Sequence, residues 1–394
     1  MKNASINLKT LIKLAFFFDL PISTAYIVPF FLHHGVSQAG VFLLQSIFSI
    51  VFLIWSIPSG YLADKYGRAF AIQLGAPIAA VAMFVYGFQG HFWQYAICEV
   101  GLALGEGLIS GANQALLINS LAKLKKEREF VKVSQRMQAL TFAGTALGVP
   151  IAILLITKVN LGSTLVADGL LYGIGAVMAL KLKDLPGKKD NLEQQDVKLW
   201  KALWKFAKLP NIRWLLILTS ALGSASYLAF WLTAPYYLSL KLPLAIFSIL
   251  LAVRSAWKAW LSHKFHKNKN IYRNMQFYSI LVLVAYIGMA TKNIWLIWTV
   301  LAVDIVEALQ GPPIVERINS FVEEKYRATM NSIVNLAQRL VYVVAGPLLG
   351  LTVDKVGLRD GLVITGLICF VFSVLAINKS KLKLNKANRI TSSN

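Results

Sequence analysis

Five acids, Asp19, Glu99, Glu106, Asp304 and Glu307, stand inside long apolar runs of this 394-residue chain, together with four bases, Arg136, Arg254, Lys258 and Arg339. A charge at the middle of a membrane helix costs about 2.5–3.5 kcal/mol even on the lenient insertion scale, so each is by default a functional candidate. A carboxylate desolvated in a cavity can trade a proton or hold a cation. It can equally be the fixed partner of one of the four bases, and the sequence leaves both readings open for every acid. Glu99 and Glu106 are seven apart and Asp304 and Glu307 three apart, spacings that put each pair on one helix face. Asp168, near the end of its apolar run, fits a structural part.

These charges need a scaffold that crosses a bilayer many times. Hydrophobic residues make up 57% and charged residues 15%, against about 25% charged in soluble chains, and the mean hydropathy is +0.59. Apolar windows near the 20-residue crossing length recur from end to end. About twelve spans are expected, at roughly 9–32, 38–62, 69–88, 92–121, 130–156, 161–181, 211–238, 243–262, 273–291, 294–318, 328–352 and 359–377. The first has no small-residue cleavage site after it and reads as retained. The fold class is therefore an all-α polytopic membrane protein in contact with lipid along its whole length.

The net charge of +22 builds no basic groove with interleaved aromatics, so nucleic acid is not an expected partner. Instead Lys and Arg concentrate in alternate connections, at 65–68, 123–132, 264–273 and beyond 379, which places both termini on the cytoplasmic side. The longest connection divides the spans six and six. The expected organisation is an N-terminal bundle over 1–183, a cytoplasmic linker over 184–210, a C-terminal bundle over 211–378 and a basic tail over 379–394. Within the linker, VKLWKALWKFAKLP sets Leu199, Leu203 and Phe206 opposite lysines, the pattern of an amphipathic helix on the inner leaflet.

The chain also echoes itself at an offset near 200 residues. INSL at 118–121 matches INSF at 318–321, SQRMQAL with Gln135 and Arg136 matches AQRLVYV with Gln338 and Arg339, and YLADKYGR at 61–68 matches WLSHKFHK at 260–267. Two parallel six-span halves follow, the plan of one large transporter class. GYLADKYGR closely resembles the loop motif of the major facilitator superfamily, G-x-L-A-D-R/K-x-G-R-K/R, with Gly60, Asp64, Lys65, Gly67 and Arg68 in register and Ala69 in place of the last base. SIPSG, SGANQALLINSL and RATMNSIVNLAQR resemble stretches of bacterial twelve-helix members. That family's fold has twelve transmembrane helices in two pseudo-symmetric bundles.

The resemblance implies secondary active transport of a small molecule by alternating access. The 60–68 cluster would latch the halves on the cytoplasmic side in one state, and spans 1, 4, 7 and 10 would line the cavity. Asp19, Glu99, Glu106, Asp304 and Glu307 would then be coupling sites for protons, with Glu106 and Asp304 the first choices. Arg136, Arg254, Lys258 and Arg339 would be their charge partners. Trp231, Tyr236, Tyr237, Phe16, Phe17 and Tyr26 could wall the cavity or form the interfacial belt. AGTALGVP, 143–150, loosely resembles the bend of the family's antiporters, which favours proton-coupled efflux of a drug-like compound, metabolite or siderophore. Import of a small solute and a transport-inactive sensor are the alternatives. No G-x-x-x-x-G-K-[ST] phosphate loop occurs, and the five histidines, His33, His34, His91, His263 and His266, form no ligand set. Neither enzymatic chemistry nor a resident metal or cofactor is expected, and the chain should work as a monomer.

Overall fold

In the lipid core every backbone N–H and C=O must find a partner within the protein, and an apolar chain of this kind meets that demand by coiling into helices. The computed structural model describes residues 1–18, 20, 22–88, 90–185, 208–264, 271–322 and 327–391. Among these residues there is no strand, and thirteen helices follow one another: α1 (Lys2–Phe18), α2 (Ile27–His33), α3 (Gln38–Tyr66), α4 (Arg68–Tyr86), α5 (Phe92–Lys123), α6 (Phe130–Lys158), α7 (Gly162–Ala179), α8 (Pro210–Ser239), α9 (Leu244–Lys264), α10 (Ile271–Ala290), α11 (Val300–Leu309), α12 (Gly311–Asn319) and α13 (Arg327–Thr391). Among the described residues eight helical stretches are long and apolar enough to cross a membrane, and 147–158 and 274–290 are shorter apolar helices. Helix α13 is interrupted at Gly357, with φ 86° and ψ 164°. Gly361 there approaches the side chain of Val353, eight residues earlier, so the chain doubles back and α13 supplies the last two spans. The expected amphipathic helix around 198–206 lies outside the described residues.

The contacts fall into two compact units. Unit 1 comprises Met1–Val36, Leu44–Gln194 and Pro243–Ala252, and unit 2 comprises Ser37–Leu43, Gln195–Leu242 and Val253–Asn394. In unit 1, α4 packs on α5 and α7 through a face of Ala69, Ala71, Ala76, Ala79 and Ala82, small residues that let helices approach closely where lipid offers no hydrophobic drive. Leu11 and Leu14 of α1, Ile72 of α4 and Leu108 and Leu116 of α5 fill one buried cluster. In unit 2, α8 and α10 pack on α13, with Leu218, Leu222, Tyr286 and Leu362 fully sealed. Large apolar side chains such as Ile54, Val81, Ile97 and Leu170 are exposed, as a hydrocarbon surround allows.

Two spans that the hydropathy draws as continuous are broken. Between α1 and α2 the chain unwinds, and the Asp168 carboxylate of α7 accepts the free N–H groups of Ile22 (3.1 Å) and Ser23 (2.9 Å). The span at 294–318 starts as a 3₁₀ turn, Ile294–Thr299, runs through α11 and restarts as α12 beyond Gln310, where Pro312 and Pro313 fit only a first helical turn.

Gly67 turns α3 into α4 at φ 115°, ψ 149°, a conformation that side chains disfavour. A Cβ at this position would also run into the Asp184 carboxylate, which accepts the N–H of Ala69 at 2.8 Å. Gly35 has φ 76° with nothing within 4 Å of its would-be Cβ. Either alanine strains a positive-φ backbone by ~1–3 kcal/mol, and the overlap with Asp184 should make Gly67→Ala the more destabilising of the two in the detergent-solubilised protein. Thermal unfolding of the two variants checks this, and equal shifts would contradict it.

Candidate functional site

The structure sorts the intramembrane charges by the company they keep. Glu99 of α5 is buried, 3% exposed, and its Oε1 accepts from the Gln45 amide of α3 at 2.6 Å and from the Tyr86 hydroxyl of α4 at 2.7 Å. Among the described residues these partners are neutral. Tyr86 in turn stacks on Tyr95, whose ring meets Phe30, Phe31 and His34 in one aromatic group. Glu106, two turns along α5, accepts instead from the Tyr172 hydroxyl of α7, and Tyr172 stacks on Phe18 at 5.2 Å.

In unit 2 the acids meet bases. The Arg254 guanidinium of α9 grips Asp304 of α11 with Nε and Nη2, each 2.9 Å from its own carboxylate oxygen, and turns Nη1 to the Thr233 hydroxyl of α8 at 3.2 Å. Asp304 is 0% exposed. A bidentate fork of this kind joins two charge-assisted hydrogen bonds, each roughly twice as strong as a neutral one. One helical turn on, Lys258 meets both Glu307 oxygens at 3.1 and 3.2 Å, with both side chains partly exposed. Spacing alone put Asp304 and Glu307 on one helix face; which acid takes which base is shown by the side chains that reach across from α9 to α11. Arg136 is exposed and Arg339 half-buried, while Asp19 lies outside the described residues.

Around the 60–68 cluster, Asp64 is half-buried and Lys65 is exposed, with its ammonium over the rings of Tyr61 and Tyr66 at 5.7 and 5.2 Å. Arg68 donates to the Ala115 carbonyl of α5 at 3.3 Å. Asp184, which sequence reading passed over, completes the cluster by capping α4. Its only sequence signal is an acid just after a span end, one of many such.

Sequence reading also missed a neutral polar group at the break between α11 and α12. Gln338 donates to the Thr219 hydroxyl at 2.8 Å, and Thr219 donates to Gln310 at 3.4 Å. Gln338 belongs to the repeated Gln-Arg pair, so the echo was the available signal. Tyr26, Tyr236 and Tyr237 are buried rather than placed in an interfacial belt. Trp93, Trp295 and Trp298, near the starts of their spans, are exposed as belt residues are.

A twelve-span helical chain with broken spans and a buried ion pair has a match among known families. The model of the Major Facilitator Superfamily covers residues 11–345. The chain belongs to this superfamily. It is similar to the inner membrane transport protein YajR of Escherichia coli K12, at 27% identity over 144 residues, 36% of this chain and 28% of the length of that protein. Among solved structures it is similar to a mutant of the nucleoside transporter NupG, with TM-score 0.80, 15% identity and coverage of 96% of this chain and 99% of that one. It also resembles a bacterial homolog of the human lysosomal transporter Spinster in an inward-facing, unoccupied conformation, with TM-score 0.70, 17% identity and 96% of each chain. At these identities the likeness concerns the fold. As a member of the major facilitator superfamily, the chain is a multi-pass membrane transporter with two pseudo-symmetric six-helix bundles.

Arg254→Met leaves Asp304 sealed without its cation and should cost about 3–5 kcal/mol of stability. Arg254→Met/Asp304→Leu, which removes both charges, should recover much of that loss. Lys258→Met should cost less than Arg254→Met because neither Lys258 nor Glu307 is sealed. Thermal melts of the variants test the order, and a harmless Arg254→Met would show that the fork contributes little.

Proposed function

We propose that this transporter moves a small molecule by alternating access, driven by protons, and that Glu99 carries the coupling proton. The observation that supports this is its setting: a buried carboxylate met by an amide and a hydroxyl. Glu99 can gain or lose a proton without breaking an ion pair, whereas Asp304 would first have to leave Arg254. Both of its donors reach Oε1, an arrangement that suits a carboxyl with its proton on Oε2. The preference expressed in the sequence for Glu106 and Asp304 thus shifts to Glu99, with Glu106 a second candidate through Tyr172. Asp304 and Glu307 take the part of fixed partners for Arg254 and Lys258 in the conformation seen.

Export is the direction we propose, on the resemblance of 143–150 to the antiporter bend, from a cytoplasmic side that holds both termini. The substrate class follows the cavity walls that the superfamily plan assigns to spans 1, 4, 7 and 10: buried aromatics with amide and hydroxyl groups suit an uncharged or amphipathic organic molecule. The protein would act without a cofactor and as a monomer.

Small molecules inside cells and in the medium should be compared for a deletion strain, its complemented strain and strains carrying Glu99→Gln or Asp360→Asn, the latter an exposed acid outside the site. Retention of one compound in the deletion strain, rescued by wild type and Asp360→Asn but not by Glu99→Gln, is expected. Depletion of that compound from the cells would reverse the direction. Full rescue by Glu99→Gln would remove Glu99 from the coupling.

A further inference from the structure

The 64–68 turn has a second copy, at the opposite end of α3. Asp64-Lys65-Tyr66-Gly67-Arg68 is followed far along the chain by Asp354-Lys355-Val356-Gly357-Leu358-Arg359, and both glycines take the same positive-φ, extended-ψ conformation, 115°/149° and 86°/164°. Each ends one long span and opens the next. The first lies at the C-terminal end of α3. The second reaches the N-terminal end of that helix, 29 residues and about 43 Å away at 1.5 Å per residue, hence on the other membrane face.

There the Asp354 carboxylate clasps the first turn of α3, with Oδ1 3.0 Å from the Gln38 N–H and Oδ2 2.9 Å from the Ala39 N–H. Ser37 takes the next two donors, its hydroxyl from Gly40 at 3.1 Å and its carbonyl from Val41 at 3.0 Å. The orphan N–H groups of Gln38, Ala39 and Gly40 at the helix start are thus satisfied, two of them by a side chain 316 and 315 positions away. The negative charge also faces the positive end of the helix dipole.

One face of α13 continues the contact at four-residue steps. A Cβ on Gly350 would stand 2.5 Å from the Ala39 Cα, Gly346 lies against Phe42, and the Tyr342 ring is 6.4 Å from that of Phe42. This explains why residues 37–43 pack in unit 2 although α3 continues from Leu44 as part of unit 1. The start of α9, the repeat counterpart of α3, behaves in the same way in unit 1. There Tyr26, 0% exposed, donates to the Ser248 hydroxyl at 2.9 Å.

We propose that Asp354, Gly350 and Gly346 form a second latch, reciprocal to the 64–68 latch and on the opposite membrane face, which closes on the start of α3 and opens once per transport cycle. The bonds suit such use. Asp354 is exposed, so its carboxylate can exchange its two N–H donors for water at small cost, while the glycine face gives a close fit only when the helices meet. The proposal deepens the alternating-access reading and rests on it, but not on the coupling residue, the substrate or the direction.

The test uses the full chain with Cys98 and Cys369, its free cysteines, replaced by serine and a reporter introduced as Phe42→Cys, a site 0% exposed in the latched structure. A membrane-impermeant maleimide added to reconstituted protein should label this reporter slowly. Asp354→Asn should speed labelling at least several-fold, Gly350→Ala should do so more strongly, and Asp360→Asn should leave it unchanged. Asp64→Asn, which loosens the opposite latch, should slow it. Fluorescence-detected size exclusion identifies any variant that fails to fold, and the milder Asp354→Asn decides alone if Gly350→Ala does. Unchanged labelling in folded Asp354→Asn, or equal acceleration by Asp360→Asn, would overturn the latch while leaving the transport reading intact.

Discussion

A carboxylate buried in a membrane bundle must be met by donors, and the need to meet it decides which helices touch. Asp168 shows the constraint at its plainest. Its charge lies 4% exposed and is answered by the bared backbone of Ile22 and Ser23, so α7 and the unwound segment of the first span hold each other in place. Each solves the problem of the other: the break frees N–H groups that lipid cannot satisfy, and the acid needs donors that lipid cannot supply. Asp304 and Arg254 do the same for α9 and α11 with opposite charges in place of backbone.

This constraint separates acids that hold structure from the acid we assign to chemistry. Asp304 in its fork is bound by about as much as two charge-assisted hydrogen bonds can give, and any step that protonates it must also leave Arg254 buried without a counter-charge. Glu99 has no such tether, since an amide and a phenol can solvate either form of the carboxyl by small rotations. In the proton-driven cycle we propose, the two kinds divide the work: fixed pairs hold the helices of each unit together, and a carboxyl that can change its proton state links the cycle to a gradient.

Much of this was legible in the sequence. Hydropathy and the alternation of basic loops imply twelve spans, the 200-residue echo implies the two halves, and GYLADKYGR points to the superfamily. Gly67 announced a turn. What could not be read was which side chains from distant helices meet. Asp184 lies 117 positions beyond Gly67, Gln45 and Tyr86 reach Glu99 from two different helices, and helical spacing fixes a face without naming what it faces. The span breaks were signalled by Pro21 and by Gln310-Gly311-Pro312-Pro313, but a hydropathy window averages over such residues and draws a continuous helix.

The most direct measurement is the infrared difference spectrum of the reconstituted protein between acidic and alkaline buffer, in the region of the protonated carboxyl C=O stretch. With Glu99 as the acid that exchanges its proton inside the fold, wild type should show a carboxyl band that vanishes in Glu99→Gln and survives in Asp304→Asn. A band that persists in Glu99→Gln and is lost in Asp304→Asn would contradict the division of labour drawn here and make the Arg254 fork the site of coupling.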